Sequence, residues 1–206
     1  MQHSPDAEAL PIGAGFNGQV TGEKTMTEMS DEEFLAQLKA EREITKTLLR
    51  YARGSDRKDF ELMGSAYHPG AIDHHGPCNG SIENFVEWCH GHHEKYDTMM
   101  HMLGHPLIEW QGDIAFTETY CLIFQKLKPE ATYAGEVSID VFIACRYVDK
   151  FECRNGEWKI AERNVVYDWV KKNWDTQQNS PHQIGGEGFI IGQRSMEDMV
   201  YKIREK

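Results

Sequence analysis

Between Phe34 and Tyr51 the apolar positions Phe34, Leu38, Ile44, Leu48 and Tyr51 recur mostly at three- and four-residue steps. That spacing puts them on one face of a helix and turns the face toward a core. Ser30 with Glu33 three residues on is a reciprocal capping pair, so the helix is expected to start there and run to about Arg53. Gly54 and Ser55 are expected to end it. A second short helix is expected from near Asp56, with Phe60, Met63 and Tyr67 on one face, breaking at Pro69-Gly70. Ala71 to His75 reads as short and β-like, and a third helix begins at Ser81, carrying Ile82, Phe85, Val86 and Cys89.

From Met99 onward the pattern changes to strands separated by turns at Gln111-Gly112-Asp113, Pro129-Glu130-Ala131 and Asn155-Gly156. The Asn-Gly pair is the strongest hairpin signal, because both central residues of that turn need positive φ. A two-residue loop there sets Phe151 opposite Ile160, Asp149 opposite Glu162, Tyr147 opposite Asn164 and Cys145 opposite Val166; a bulge would shift the register by one. Phe142, Tyr167 and Trp169 then fall on the other sheet face, so both faces are at least partly covered. Helices followed by an antiparallel meander make an α+β fold in which a curved sheet wraps over its helices. The apolar second face predicts a homo-oligomer.

This core spans residues 30–172. Residues 1–29, with Gly13, Gly15, Gly18 and Gly22, read as an irregular arm, with Met26 or Met29 a candidate start of the compact part. Residues 173–206 read as an extension ending in a small amphipathic helix near Ser195 to Lys206, packed on its own core or on a neighbouring subunit.

At 206 residues the chain has room for one domain, and 40% hydrophobic content gives it a core. The formal net charge of −11 repels phosphate backbones and anionic lipid surfaces, so neither nucleic acid nor membrane is an expected partner. With no apolar run long enough to span a bilayer and no signal-peptide pattern, the expected location is cytoplasmic. Five cysteines without a Cys-x-x-Cys pair read as buried thiols. His74, His75, His90, His92 and His93 are close in sequence but lack regular ligand spacing, so no metal is expected. Gly13-x-Gly15-x-x-Gly18 has dinucleotide spacing without the flanking strand and helix, so no cofactor is expected either.

The stretches Tyr51-Ala-Arg-Gly-Ser-Asp56-Arg-Lys-Asp-Phe, Ala-Ile-Asp-His74-His75-Gly, Met-Met-His101-Met-Leu-Gly and Tyr147-Val-Asp-Lys-Phe-Glu-Cys-Arg-Asn-Gly-Glu-Trp-Lys-Ile resemble the SnoaL-like branch of the nuclear-transport-factor-2-like superfamily over roughly residues 33–172. The resemblance implies a cone-shaped antiparallel sheet around N-terminal helices, a single deep pocket and a homotrimer, with a dimer second. An Asp after the first helix with a His at the start of the meander is similar to the scytalone dehydratase, lindane dehydrochlorinase and bile-acid dehydratase types, which are cofactor-free lyases.

Carried over, that pair is Asp56 and His101. Read alone, Asp56 is an N-cap of the second helix and His101 a core histidine; the motif gives them a catalytic role, with His101 as base and Asp56 orienting it. His74 falls where scytalone dehydratase has a pocket tyrosine. This chain departs from that pattern at Phe124, where the relative has a second histidine, at Ser55, where it has a tyrosine, and at Tyr147, where it has an asparagine. Further candidates for substrate binding are Tyr51, Phe124, His105 (by strand parity with His101), Tyr120 across the Gly112-Asp113 turn, and the pair Tyr147 and Asn164, which could donate to a carbonyl or oxyanion.

The expected function is a cofactor-independent lyase, a dehydratase or a carbon-carbon lyase such as a deformylase, acting on a small, apolar, aromatic or polycyclic substrate. A double-bond isomerase of the same fold needs the same base. A non-catalytic ligand-binding or assembly module, or a ring-hydroxylating dioxygenase small subunit, is the alternative of another class.

Overall fold

The computed structural model describes residues 29–132, 138–174, 194, 195 and 197. The expected arm, but for Met29, and most of the expected C-terminal extension and of its helix lie outside these described residues.

Helix α1 (Asp31–Arg57) starts as the capping pair demands: Ser30 Oγ accepts from Glu33 N at 3.2 Å, and Glu33 Oε2 accepts from Ser30 N at 3.0 Å. It runs past the expected end near Arg53. Gly54 and Ser55 are helical, and the chain leaves α1 at Lys58 in the left-handed region. Gly54 serves contact rather than termination, since a Cβ there would lie 2.4 Å from Met63 N and 2.7 Å from Met63 Cα. This close approach lets α2 (Phe60–Gly64) fold back on α1. The N-cap of α2 is Asp59, which accepts from Leu62 N at 3.0 Å, so Asp56 is not a cap.

The remaining elements are β1 (Tyr67–His74), β2 (Asn79–Ser81), α3 (Ile82–His93), β3 (Tyr96–Leu103), β4 (Leu107–Gln111), β5 (Ile114–Leu127), a helical turn at Pro129–Ala131, β6 (Ile139–Arg154) and β7 (Glu157–Trp174). Pro69-Gly70 lies inside β1 rather than at a break. Ser81 caps α3 as expected, and the helix continues through Gly91. The strands form one sheet in the order β2-β1-β7-β6-β5-β3, with β4 also paired to β5. Every pairing is antiparallel except β1 with β7. The fold is therefore α+β, with the helices packed against one face of a mixed, mostly antiparallel sheet.

The β6–β7 hairpin turns at Asn155 and Gly156, whose φ values of 54° and 82° are both positive. Phe151 faces Ile160 as expected, and then a bulge between Lys150 and Phe151 moves the register by one. Asp149 consequently faces Arg163, Tyr147 faces Val165 and Val148 faces Asn164. The same shift sets Cys145 opposite Tyr167, and a second irregularity between Ala144 and Cys145 then sets Ala144 opposite Trp169. A one-residue slip exchanges the two faces of a strand, so Arg163 and Tyr167 turn inward, where the regular register put neither.

The core is continuous from α1 to the sheet: Ile44, Leu48, Tyr51, Phe85, Phe151 and Ile160 are all buried. No helix among the described residues is long and apolar enough to cross a membrane.

Candidate active site

The helices and the inner sheet face enclose a cavity of about 610 Å³, inside the range of roughly 300–1,000 Å³ typical of small-molecule sites. Its wall is mainly apolar, with Phe85, Trp88, Met99, Ile123, Val141 and Ile143.

His101 lies on this wall. β3 brings it there, and the last turn of α1 brings Asp56 to its back. Asp56 Oδ1 accepts from His101 Nδ1 at 2.6 Å, and Asp56 Oδ2 accepts from the His101 backbone N–H at 3.0 Å. The carboxylate therefore fixes both the ring and the strand that carries it. Because Nδ1 is committed to Asp56, Nε2 is the nitrogen left to face a ligand, and no described residue bonds it. Only 6% of the His101 side chain and 11% of the Asp56 side chain is exposed. Burial of His101 pushes its pKa down, but the hydrogen bond and charge of Asp56 outweigh it, so the imidazole is raised above its ordinary value.

A second carboxylate-imidazole pair reaches the same cavity. His75, just beyond β1, lines it, and His75 Nδ1 lies 3.1 Å from Oδ1 of the fully buried Asp73. Asp73 Oδ2 accepts from the Tyr67 hydroxyl at 2.6 Å. The His75 ring stacks on Phe85 with centroids 4.6 Å apart.

Under the cavity lies the buried ion pair created by the bulge. Arg163 donates to both oxygens of Asp149, from Nε at 2.8 Å and Nη2 at 2.6 Å. Its guanidinium carbon sits 4.3 Å from the Tyr51 ring centroid and 4.1 Å from that of Tyr147. Tyr51 lines the cavity, whereas Tyr147 is wholly buried below it, and the Tyr147 hydroxyl has no hydrogen-bond partner among the described residues.

The other proposed binding residues lie elsewhere. His74 points away from the cavity, with Nε2 3.9 Å from Glu162 Oε1, because strand alternation gives the inner face to Asp73 and His75 instead. His105 is lost to the site because β3 ends at Leu103; its ring bonds Pro106 O in a surface groove beside α1. Tyr120 is 63% exposed on the outer sheet face. Phe124 is on that face too, edge-on to Phe142, with its neighbours Ile123 and Gln125 turned inward. Asn164 is displaced by the bulge and donates to Glu162.

Sequence reasoning also missed His92 and His93 as wall residues. Burial lowers their pKa values to about 4 and about 3, helped by Lys95 beside His92 and Arg194 beside His93, so both rings are neutral. Among the described residues no group of three or more His, Cys, Asp or Glu side chains is placed to hold a metal ion.

The profile of the SnoaL-like domain matches residues 36–164, more than half of the chain, and this span contains both carboxylate-imidazole pairs. The chain belongs to the SnoaL-like domain family. No curated protein matches this SnoaL-like chain. Among solved structures it is similar to a hexachlorocyclohexane dehydrochlorinase, LinA type 2, at 19% identity and a TM-score of 0.59, covering 74% of this chain and 99% of the other. A candidate scytalone dehydratase from Novosphingobium aromaticivorans is 14% identical with a TM-score of 0.59, covering 67% and 90%. The β subunit of a candidate aromatic-ring-hydroxylating dioxygenase from the same organism is 18% identical with a TM-score of 0.51, covering 66% and 94%. These likenesses show the fold, which dehydratases and dehydrochlorinases share.

Proposed function

We propose that this SnoaL-like protein is a cofactor-independent lyase that eliminates water, or cleaves a carbon-carbon bond, in a small apolar aromatic or polycyclic substrate. The observation that carries the reading is the 2.6 Å contact between Asp56 and His101 at the wall of an apolar cavity. A neutral imidazole held by a carboxylate takes a proton from carbon at Nε2, and the imidazolium that forms is stabilised by the carboxylate behind it. Such acid and base assistance is worth roughly 10²- to 10⁴-fold in rate, enough for a substrate whose C–H bond is activated by a neighbouring carbonyl or aryl group. The residues assigned are His101 as base, Asp56 as its positioning partner and Tyr51 as a wall residue.

Dehydration of an aryl β-hydroxy ketone to the conjugated enone, followed by absorbance, tests the reading. The protein, dialysed against a chelator, is expected to accelerate enone formation, and His101→Ala to lose the acceleration. A wild type that binds the ketone with no gain over solvent would make the pocket a ligand-binding module. Loss of turnover on chelation, restored by one divalent metal, would overturn the cofactor-free reading.

A further inference from the structure

The Asp73–His75 pair has no part in the reaction as proposed above, yet it has the same construction as Asp56–His101. Both rings use Nδ1 on a buried carboxylate, and both line the one cavity. In neither case does a described residue bond Nε2.

His75 is held on every side. Its backbone N–H donates to Cys78 O at 3.1 Å, its carbonyl accepts from the Tyr167 hydroxyl at 3.2 Å, and its ring lies flat on Phe85. Asp73 is fixed by Tyr67 and sits opposite Arg163 in the β1–β7 register. A carboxylate with no exposed surface is costly unless its bonds are complete, and one of those bonds is to a cavity imidazole. The two pairs approach from opposite ends of the sheet, since β1 lies beside β7 near one edge and β3 forms the other.

We propose that His75, oriented by Asp73, is a second proton-transfer group of this site, the general acid that works opposite His101. The proposal rests on the reading of His101 as the base. In the elimination His101 Nε2 takes the proton from carbon and the C–H pair becomes the new π bond. The bond to the leaving oxygen breaks, and the imidazolium of His75 hands its Nε2 proton to that oxygen. One imidazole ends with the proton the other has lost, water or an alcohol leaves, and solvent exchange resets the pair. The substrate class narrows accordingly to compounds with a poor oxygen leaving group, such as a hydroxyl, which needs protonation to depart.

Benzisoxazoles make a probe that requires no knowledge of the natural substrate. Removal of their C–H proton breaks the N–O bond and releases a cyanophenolate, and a ring nitro group makes that phenolate a better leaving group. Wild type is expected to turn over both nitrobenzisoxazole and the unsubstituted compound, with His101→Ala at background on each. His75→Phe, which keeps a ring on Phe85, is expected to lose about 10²-fold on the unsubstituted compound but only a few-fold on the nitro compound, where protonation matters less. Asp73→Asn is expected to shift the same ratio in the same direction, and serves if His75→Phe fails to fold.

Equal losses on both compounds, with His101→Ala still inactive, would leave His75 a wall residue and overturn this proposal while the base reading stands. A wild type no faster than solvent, or a fully active His101→Ala, would overturn the base reading and this proposal with it.

Discussion

Arg194 Nε donates to the main-chain carbonyl of Asp56 at 3.3 Å. The same side chain donates from Nη1 to Tyr96 O at 2.7 Å and to His93 O at 3.3 Å, and its Nη2 lies 3.3 Å from His93 Nδ1. One guanidinium thus ties the end of α1, the end of α3 and the start of β3, the three elements that meet behind His101. It lies outside the span matched by the family profile. Arg194→Ala is expected to cost about 1–3 kcal/mol, because buried carbonyls lose their donor. It is also expected to disturb the downfield imidazole proton between His101 and Asp56 in the NMR spectrum. A stability loss with that resonance unmoved would limit Arg194 to a structural role.

Gly54→Ala tests the packing on which Asp56 depends. The added methyl would meet backbone atoms, Met63 N at 2.4 Å and Asp59 O at 2.8 Å, which cannot swing away as a side chain could. Helix propensity favours Ala by about 1 kcal/mol, but the clash is expected to dominate, with a net loss of roughly 3 kcal/mol. Chemical denaturation measures it; a stabilised variant would show that α2 can move off α1 freely.

The sequence pattern carried the helices, the meander and the Asn155-Gly156 hairpin, because each rests on local periodicity or turn chemistry. Through the motif it also pointed to Asp56 and His101, which the structure brings into hydrogen-bond contact. It misplaced what depends on long-range register. The bulge beside Phe151 exchanged Asn164 for Arg163, and the chain's departure from β3 at Gly104 removed His105. His75 was legible in principle, since residues two apart on a strand share a face and Asp73-x-His75 is such a spacing. The resemblance drew attention to His74 instead. The expectation that Tyr167 belongs to the outer face failed for the same reason as Asn164: the bulge beside Phe151 shifted the register and turned its ring into the cavity.

The outer face predicts assembly. Met102, Leu122, Ala144 and Trp169 are successive register partners across β3, β5, β6 and β7, and Met102, Leu122 and Trp169 are 53%, 45% and 56% exposed. A contiguous apolar row of this kind is unusual on a monomer. We propose a homotrimer, with a dimer second. Light scattering is expected to give about three times the 23.7 kDa chain mass, and Leu122→Glu to shift the species toward monomer with the cavity intact. A wild type that stays at one chain mass at micromolar concentration would contradict this.

The raised pKa of His101 fixes two opposite pH trends. For stability, a base that binds its proton more tightly in the folded state contributes fully below its ordinary value of 6.5, and the contribution is lost as pH rises through the higher folded value. The advantage of wild type over His101→Gln in denaturation is therefore expected to shrink between mildly acid and alkaline pH. For turnover of nitrobenzisoxazole, whose leaving group needs little help from His75, the sign reverses: only neutral His101 accepts a proton, so the rate should rise with pH through that same folded value. His92 and His93, depressed to about 4 and about 3, act oppositely on stability: their contribution is present above 6.5 and lost as pH falls. The charged and titrating groups near His101 are Asp56, Arg163, His93 and Cys121, and the Cys121 thiol, drawn down to about 7 by the Cys145 hydrogen bond, titrates in the same window. Imidazole ¹⁵N shifts separate the two, since they follow the ring rather than the thiol. Asp56→Asn keeps an acceptor but removes the charge, and is expected to bring the His101 midpoint down. A midpoint unchanged in Asp56→Asn would mean that the carboxylate does not hold the imidazolium, and the case for His101 as an activated base would fall with it.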